Sequence, residues 1–430
     1  LASDAIWSPE QSEEVYCQDD KICFGNICSL PFIETSDTRD NHQMKLKTEK
    51  GLSISTKIAQ ALHYCDPETG SVVPSIDHSA TYSRDENYQP RQAYWYRRDG
   101  NKTAQIAEEI IAELENADAS LLFSSGMSAC TAVLEMLPAG AHIVVPRVMY
   151  HGVLGQIQNF VSKDRIRVSY YEAGDLSSME PVIENGVTQL VWVETPNNPN
   201  WEVTDISSAS KLAHRAGARL IVDATATPPT MTKSLDLGAD ISFHSATKYL
   251  NGHSDVSAGV LSLNQQSSTY ENLFNIRKLH GTVLNSQDAF LLIRGLRTLF
   301  LRVEKNSQNA MLLARYFQNH ECIEKVLYPG LETHPNHEIA KHQTDGQFGG
   351  MLSVIVKGSQ TDAINVVRNC RVFYPATSLG GVESLIEHRK TVSGDDFPVH
   401  ENLIRISAGI EDPADLINDL EQALEKAFKK

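Results

Sequence analysis

Lys248 stands just past a short apolar run, Ala239 to Phe243, with hydroxyl side chains close by at Ser245 and Thr247. A primary amine among small hydrogen-bonding residues at the end of a strand suits imine chemistry. The amine condenses with an aldehyde, and the hydroxyls hold a phosphate nearby. A solvated lysine after a strand would read the same way, so this segment alone leaves both open.

Other positions bear on the choice. Asp223 closes the apolar run Leu220-Ile-Val-Asp223, one strand–helix–strand step before Lys248. Such a carboxylate either caps the next segment or shares a pocket with the lysine, where it would keep a pyridine-type nitrogen protonated and the ring electron-poor. Ser125, Gly126 and Met127 precede a helical run, Ala129 to Leu137. Backbone N–H groups and the positive dipole end make that turn an anion seat, although a plain N-cap has the same sequence. Tyr150 follows an apolar run ending at Pro146 and has the shape to stack on a flat ring or to act as an acid or base. Arg405 alternates with apolar neighbours in Leu403-Ile-Arg-Ile-Ser407. It suits a two-pronged clamp on a substrate carboxylate, or a surface ion pair.

The elements that must position these residues show as an alternation. Strands are expected at His142 to Pro146, Arg167 to Tyr171, Gln189 to Glu194, Arg219 to Asp223, Ile241 to Phe243 and Gly259 to Leu263. Helical spacing marks Asn101 to Asn116, through Ile106, Ile110, Ile111 and Leu114, and Ser207 to Ala216. Nearly continuous apolar strands divided by helices predict an α/β fold with a mostly parallel sheet covered on both faces. Ligand would then bind at the carboxyl ends of the strands, where Glu194, Asp223 and Lys248 fall. Gln287 to Phe317 reads as one or two long helices. Beyond the turn Leu327-Tyr-Pro-Gly330, a strand at Met351 to Val356 and an amphipathic helix, Pro413 to Lys429, suggest a smaller domain. The expected division is a polar, partly disordered extension over 1–51, an arm and helix over 52–115, a cofactor-binding large domain over 116–310 and a small α/β domain over 311–430.

Composition narrows the function. With 38 Lys and Arg against 54 Asp and Glu, a formal charge of -16 argues against nucleic acid or anionic membrane as a partner. No apolar run reaches the length of a membrane span. The seven cysteines have no framework spacing. Cys17, Cys23 and Cys28 cluster without a fourth ligand, so no metal site is expected, and reduced thiols in a cytosol-like compartment are. The chain starts at Leu1 with an acidic, polar stretch unlike a signal or transit peptide. A trimmed N-terminus is expected, with an organelle as the alternative location if a targeting segment has been removed.

Several stretches together resemble the Cys/Met-metabolism family of pyridoxal-phosphate enzymes, in family order from about residue 52 onward. They are Tyr96-Arg-Arg-Asp-Gly-Asn101, Ser125-Gly-Met127, Glu194-Thr-Pro-Asn-Asn-Pro199, Ile221-Val-Asp223 and Ser245-Ala-Thr-Lys-Tyr-Leu-Asn-Gly-His253. Arg294-Gly-Leu-Arg-Thr298, Phe348-Gly-Gly-Met351, Ser378-Leu-Gly-Gly-Val-Glu-Ser384 and Ile404-Arg-Ile-Ser-Ala-Gly-Ile-Glu-Asp412 continue the series. The resemblance implies the fold-type I architecture and pyridoxal 5'-phosphate carried on Lys248, which would also shuttle protons on the substrate. Asp223 would pair with the ring nitrogen and Tyr150 would stack on the ring. Ser125, Gly126, Met127, Ser245 and Thr247 would hold the phosphate. Tyr96 and Arg98 would reach the phosphate of a neighbouring subunit, implying an active dimer within a homotetramer. Asn198, Ser378 and Arg405 would hold the α-carboxylate of a small amino-acid substrate.

The chain also departs from the family pattern. Ala224 replaces the usual asparagine after the aspartate, Lys102 replaces a proline, and Tyr150-His-Gly152 replaces a Tyr-Gly-Gly or Tyr-Gly-Cys element. Gly155 and Thr377 stand where members that handle cystathionine or succinylated homoserine carry an arginine and a glutamate. The loop from Arg389 to Gly394 lacks the usual Met-Thr-His run. The expected reaction is γ-elimination or γ-replacement, with an O-acyl homoserine, a methionine-like or another γ-substituted amino acid preferred over cystathionine. The alternatives are a β-eliminating lyase and a catalytically idle homologue serving as a binding or scaffold protein.

Overall fold

The computed structural model describes residues 51–428 apart from 93, 264–267, 395 and 396. The extension expected over 1–51, with Cys17, Cys23 and Cys28, therefore lies outside the described residues except for Gly51. The apolar runs in the middle of the chain form strands β1 (Ala119–Phe123), β2 (Ala141–Pro146), β3 (Ile166–Tyr171), β4 (Thr188–Glu194), β5 (Arg219–Asp223), β6 (Ile241–His244) and β7 (Gly259–Leu263). They make one sheet in the order β1-β7-β6-β5-β4-β2-β3. From β6 to β3 all neighbours are parallel, while β7 runs antiparallel to both β6 and β1.

Both faces of this sheet are covered, and the two-residue period of a strand explains how. Ile143, Val145, Leu190, Trp192 and Ile221 join one core with the helices Gly126–Glu135, His151–Val161 and Ser268–His280. Their neighbours Val144, Val191, Val193, Leu220 and Val222 join another with the helix Ile206–Arg215. Strand β1 was not expected from the sequence. It is short, ends in the Ser124-Ser125 turn, and gains order from its pairing with the distant β7. The helix expected from Ala129 starts earlier, at Gly126, because the Ser125 side chain accepts from Ser128 N and caps it. The run Gln287 to Phe317 is two helices, Ser286–Leu296 and Leu299–Phe317.

The helix Lys102–Glu115 opens on Asn101, whose Oδ1 accepts from Ala104 N at 2.9 Å, and closes on Asn116 in the left-handed region. Its last residue, Glu115, lies 2.5 Å from His244 Nε2, both side chains being buried. This pair ties the helix to the end of β6, four residues before Lys248.

A second sheet contains β8 (Ile323–Leu327), β9 (Met351–Val356), β10 (Tyr374–Pro375), β11 (Leu385–His388) and β12 (Leu403–Ser407), in the order β10-β11-β12-β9-β8. Only β10 and β11 pair in parallel. Leu352, Val354, Ile386, Ile404 and Ile406 enter a core with the helices Gln360–Asn369 and Pro413–Phe428 and the second half of Leu299–Phe317. Alternation then turns Ser353, Glu387 and Arg405 to the opposite face, where Glu387 pairs with Arg405 and Arg405 with Ser353 across the ladder. On that face Trp201 Nε1, from the first sheet's side, donates to Ser353 Oγ at 2.8 Å. Among the described residues no helix is long and apolar enough to cross a membrane. Cys65, Cys130, Cys322 and Cys370 are free thiols.

Candidate active site

A cavity of about 260 Å³ opens where the carboxyl ends of β4, β5 and β6 meet the polar face of the second sheet. Lys248, Asp223, Tyr150, Asn198, Ser378 and Arg405 all line it, as do Ser125, Gly126, Met127, Ser245 and Thr247.

Lys248 Nζ donates to Ser378 Oγ at 2.9 Å. Burial, and then the charge of Arg405, push its amine down to about 8 from an ordinary value of 10.5. Ser378 itself has φ 143°, a conformation that side-chain-bearing residues rarely adopt. It is held by Arg405, whose Nη2 donates to the Ser378 carbonyl at 3.0 Å. The other guanidinium nitrogen of Arg405, Nη1, donates to Asn198 Oδ1 at 3.2 Å. The three residues expected to grip a carboxylate are thus one bonded group.

Asp223 and Glu194 face one another in register at the ends of β5 and β4. Asp223 accepts from Thr225 N at 3.0 Å, and burial pushes its carboxyl above the usual range. Glu194 spends both oxygens on backbone: Oε2 accepts from Tyr150 N and Oε1 from Asn198 N, each at 2.7 Å. Burial and the adjacent Asp223 raise its carboxyl to about 8. Glu194 therefore fixes the backbone at Tyr150 and at Asn198 at once. The sequence placed it at a strand end beside Asp223 without giving it that role.

At the far end, Ser125 Oγ accepts from Ser128 N at 3.0 Å, so its hydroxyl serves as the helix cap. The turn also offers an anion the backbone N–H groups at Gly126 and Met127, which have no partner within the helix. The turn packs tightly. A Cβ on Gly126 would lie 3.2 Å from Ser245 Oγ, and one on Gly259 would collide with the Ser125 carbonyl. Thr247 Oγ1 accepts from Ala258 N at 2.9 Å and donates weakly to Ala258 O at 3.3 Å, which braces the loop carrying Lys248. Thr225, unanticipated, links the two ends: its Oγ1 accepts from Ser245 N at 2.9 Å.

Tyr150 is 38% exposed and its ring leans on that of His151. Tyr96 and Arg98 do not line this cavity; the Arg98 guanidinium lies 4.6 Å above the Tyr96 ring on an accessible part of the chain. Two further residues were missed as site members, Glu387 and Arg389. Arg389 lines the cavity, and Glu387 pairs with both it and Arg405. Glu387 hides in the alternation of β11, and Arg389 in a loop noted only for lacking a family motif.

The residues fit pyridoxal phosphate. A buried carboxylate at one end needs a cationic partner such as a protonated ring nitrogen, backbone donors and Ser245 at the other end suit a phosphate, and an amine of lowered basicity lies between. Among the described residues no cluster of His, Cys, Asp and Glu could hold a metal ion.

Known proteins agree with this reading. Cystathionine gamma-lyase of Dictyostelium discoideum is 38% identical over 381 residues, 87% of this chain and 98% of the relative. Cystathionine beta-lyase of Lactococcus lactis subsp. cremoris is 37% identical over 382 residues, 87% of this chain and 99% of the relative. The crystal structure of cystathionine gamma synthase from Xanthomonas oryzae pv. oryzae in complex with cystathionine superposes with a TM-score of 0.84 at 33% identity, covering 87% of this chain and 98% of that one. The model of the Cys/Met metabolism PLP-dependent enzymes matches residues 55–425, and this chain belongs to that family.

Proposed function

We propose that this enzyme carries out γ-elimination or γ-replacement on a homoserine-derived or sulfur amino acid. The observation that carries the proposal is the Lys248 amine, lowered to about 8 and bonded to Ser378, which the Arg405 clamp holds in turn. One base thus stands beside the seat for the α-carboxylate. Bound pyridoxal phosphate supplies the aldehyde that takes up the substrate's amino group and the electron-poor ring that makes its α-proton acidic.

The protein's own groups do the rest. Arg405, with Asn198 and Ser378, orients the α-carboxylate and so fixes which Cα bond faces Lys248. Lys248 would remove the α-proton and, being mobile on its long stem, then take a β-proton and pass a proton to the departing γ-substituent. Asp223 would face the ring nitrogen of a bound cofactor and keep it protonated, and the Tyr150 ring would offer it a flat stacking face. Glu194 keeps Tyr150 and Asn198 in place.

Neither residue expected to address a distal charge carries one here. Thr377 lines the cavity, and Gly155 faces open space. An O-acyl homoserine or methionine-like substrate with an uncharged far end suits such walls. We place the enzyme in a cytosol-like compartment as a homotetramer of active dimers, Tyr96 and Arg98 serving the neighbouring site.

A substrate panel tests the reaction. Holoenzyme is given O-acetyl-homoserine, methionine, cystathionine and cysteine, with and without a thiol. The proposal expects 2-oxobutanoate, or a new thioether when thiol is present. Pyruvate as the main product would instead assign β-elimination, and no turnover of any member would assign an idle homologue.

A further inference from the structure

The wall behind the carboxylate clamp has an uneven charge count. Glu387 Oε1 lies 2.6 Å from Arg389 Nη1 and 2.9 Å from Arg405 Nη2, so two guanidiniums share one carboxylate oxygen. All three side chains are almost wholly buried: Arg389 is 0% exposed, Arg405 4% and Glu387 5%. Two further buried polar atoms of the group, Glu387 Oε2 and Arg389 Nε, make no hydrogen bond among the described residues. The remaining prong of Arg389, Nη2, donates to His151 Nδ1 at 2.9 Å. Burial and the neighbouring Arg389 charge hold that imidazole below its usual range, so it accepts as a neutral ring and adds no charge.

A lone Arg405–Glu387 pair would be self-neutralised. An incoming carboxylate would then have to compete with Glu387 for the same guanidinium and would face its repulsion at short range. With Arg389 present, Glu387 has a second cation to hold it, and the trio is left one anion short. We propose that Arg389 is a positioning residue which takes Glu387 as its own counter-ion and so leaves Arg405 charged and available to the substrate's α-carboxylate. A bound α-carboxylate completes two carboxylates on two guanidiniums. The inference rests on Arg405 being that clamp, and it explains why Arg389 is tolerated at a fully buried position.

Binding to the holoenzyme tests it, read from the change in the cofactor's visible band. L-Norleucine has an uncharged far end, and L-2-aminoadipate carries a distal carboxylate. Arg389→Met should weaken both about tenfold or more, and to the same degree, the scale expected for losing one close charge pair. Glu387→Gln should bind both at least as tightly as the wild type, because the competitor is gone. The double variant Arg389→Met/Glu387→Gln should recover to within about threefold of wild type. Arg389→Lys, which keeps the charge, should hold most of the affinity.

Three results would overturn the inference: a Glu387→Gln variant that binds more weakly, a double variant no better than Arg389→Met, or a loss confined to L-2-aminoadipate. The last would make Arg389 a reader of the distal group. The Glu387→Gln result decides even if Arg389→Met does not fold. Arg405→Met separates this inference from its premise. If that variant binds norleucine as well as wild type, the clamp assignment itself fails; if it binds poorly while the Arg389 and Glu387 variants behave as wild type, only the present inference fails.

Discussion

At the residue scale, the amine of Lys248 is unlike a surface lysine. Burial beside Arg405 lowers it to about 8, so the protonated form dominates below that pH and the neutral nucleophile above it. In enzyme stripped of cofactor, the rate of pyridoxal phosphate uptake should therefore rise with pH through a midpoint near 8. A midpoint close to the ordinary lysine value of 10.5 would show that the pocket does not depress the amine. Asp223 and Arg405 were legible in the sequence as cavity residues because each ends or interrupts an apolar run, and Lys248 because it follows one within a few residues. Glu387 and Arg389 were not. Their importance comes from the pairing of β11 with β12 and from one shared oxygen, and such contacts have no periodic trace. The Ser125 hydroxyl illustrates the opposite limit: its sequence suited both a cap and a phosphate ligand, and accepting from Ser128 N as a cap leaves its O–H able to donate to an anion.

At the scale of elements, the site depends on how closely the turn at Ser125 approaches β7. Gly259 opens that strand, and any side chain there would strike the Ser125 carbonyl and the Gly126 backbone. Gly259→Ala should push the turn away from the cavity. We expect it to weaken cofactor retention about tenfold or more, consistent with the 1–3 kcal/mol typical of overpacking, measured by equilibrium dialysis of the holoenzyme. Unchanged retention would show that the turn's position does not matter to the phosphate seat. The parallel strands β2 to β6 were readable because continuous apolar runs need cover on both faces. Strand β1 was not, since its order depends on a partner more than a hundred residues away rather than on its own pattern. The start of the helix at Gly126 was misplaced for a related reason: small residues give no apolar signal, and the cap decides the boundary.

At the scale of the whole molecule, the proposed assembly turns on Tyr96 and Arg98. They do not line their own chain's cavity, and Tyr96 is 43% exposed. If they complete a neighbour's site, an inactive Lys248→Ala chain and an inactive Arg98→Ala chain should complement each other. Unfolded together and reassembled in equal amounts, the mixture should regain roughly one quarter of wild-type activity, since half the dimers are mixed and each has one intact site of two. No recovery beyond the two variants alone would mean that Arg98 serves its own chain. The acidic balance of the chain, -16 overall, fits an enzyme that handles small zwitterions rather than polyanions.

The central claim is that Lys248 is the residue that holds the cofactor. Borohydride reduction of the holoenzyme, followed by proteolysis and mass mapping, tests it directly, because reduction fixes the cofactor covalently to the lysine that carries it. The account predicts the reduced cofactor on the peptide containing Lys248, with loss of the visible band. Attachment to a different lysine, or a visible band that persists in Lys248→Ala and yields no label, would contradict it.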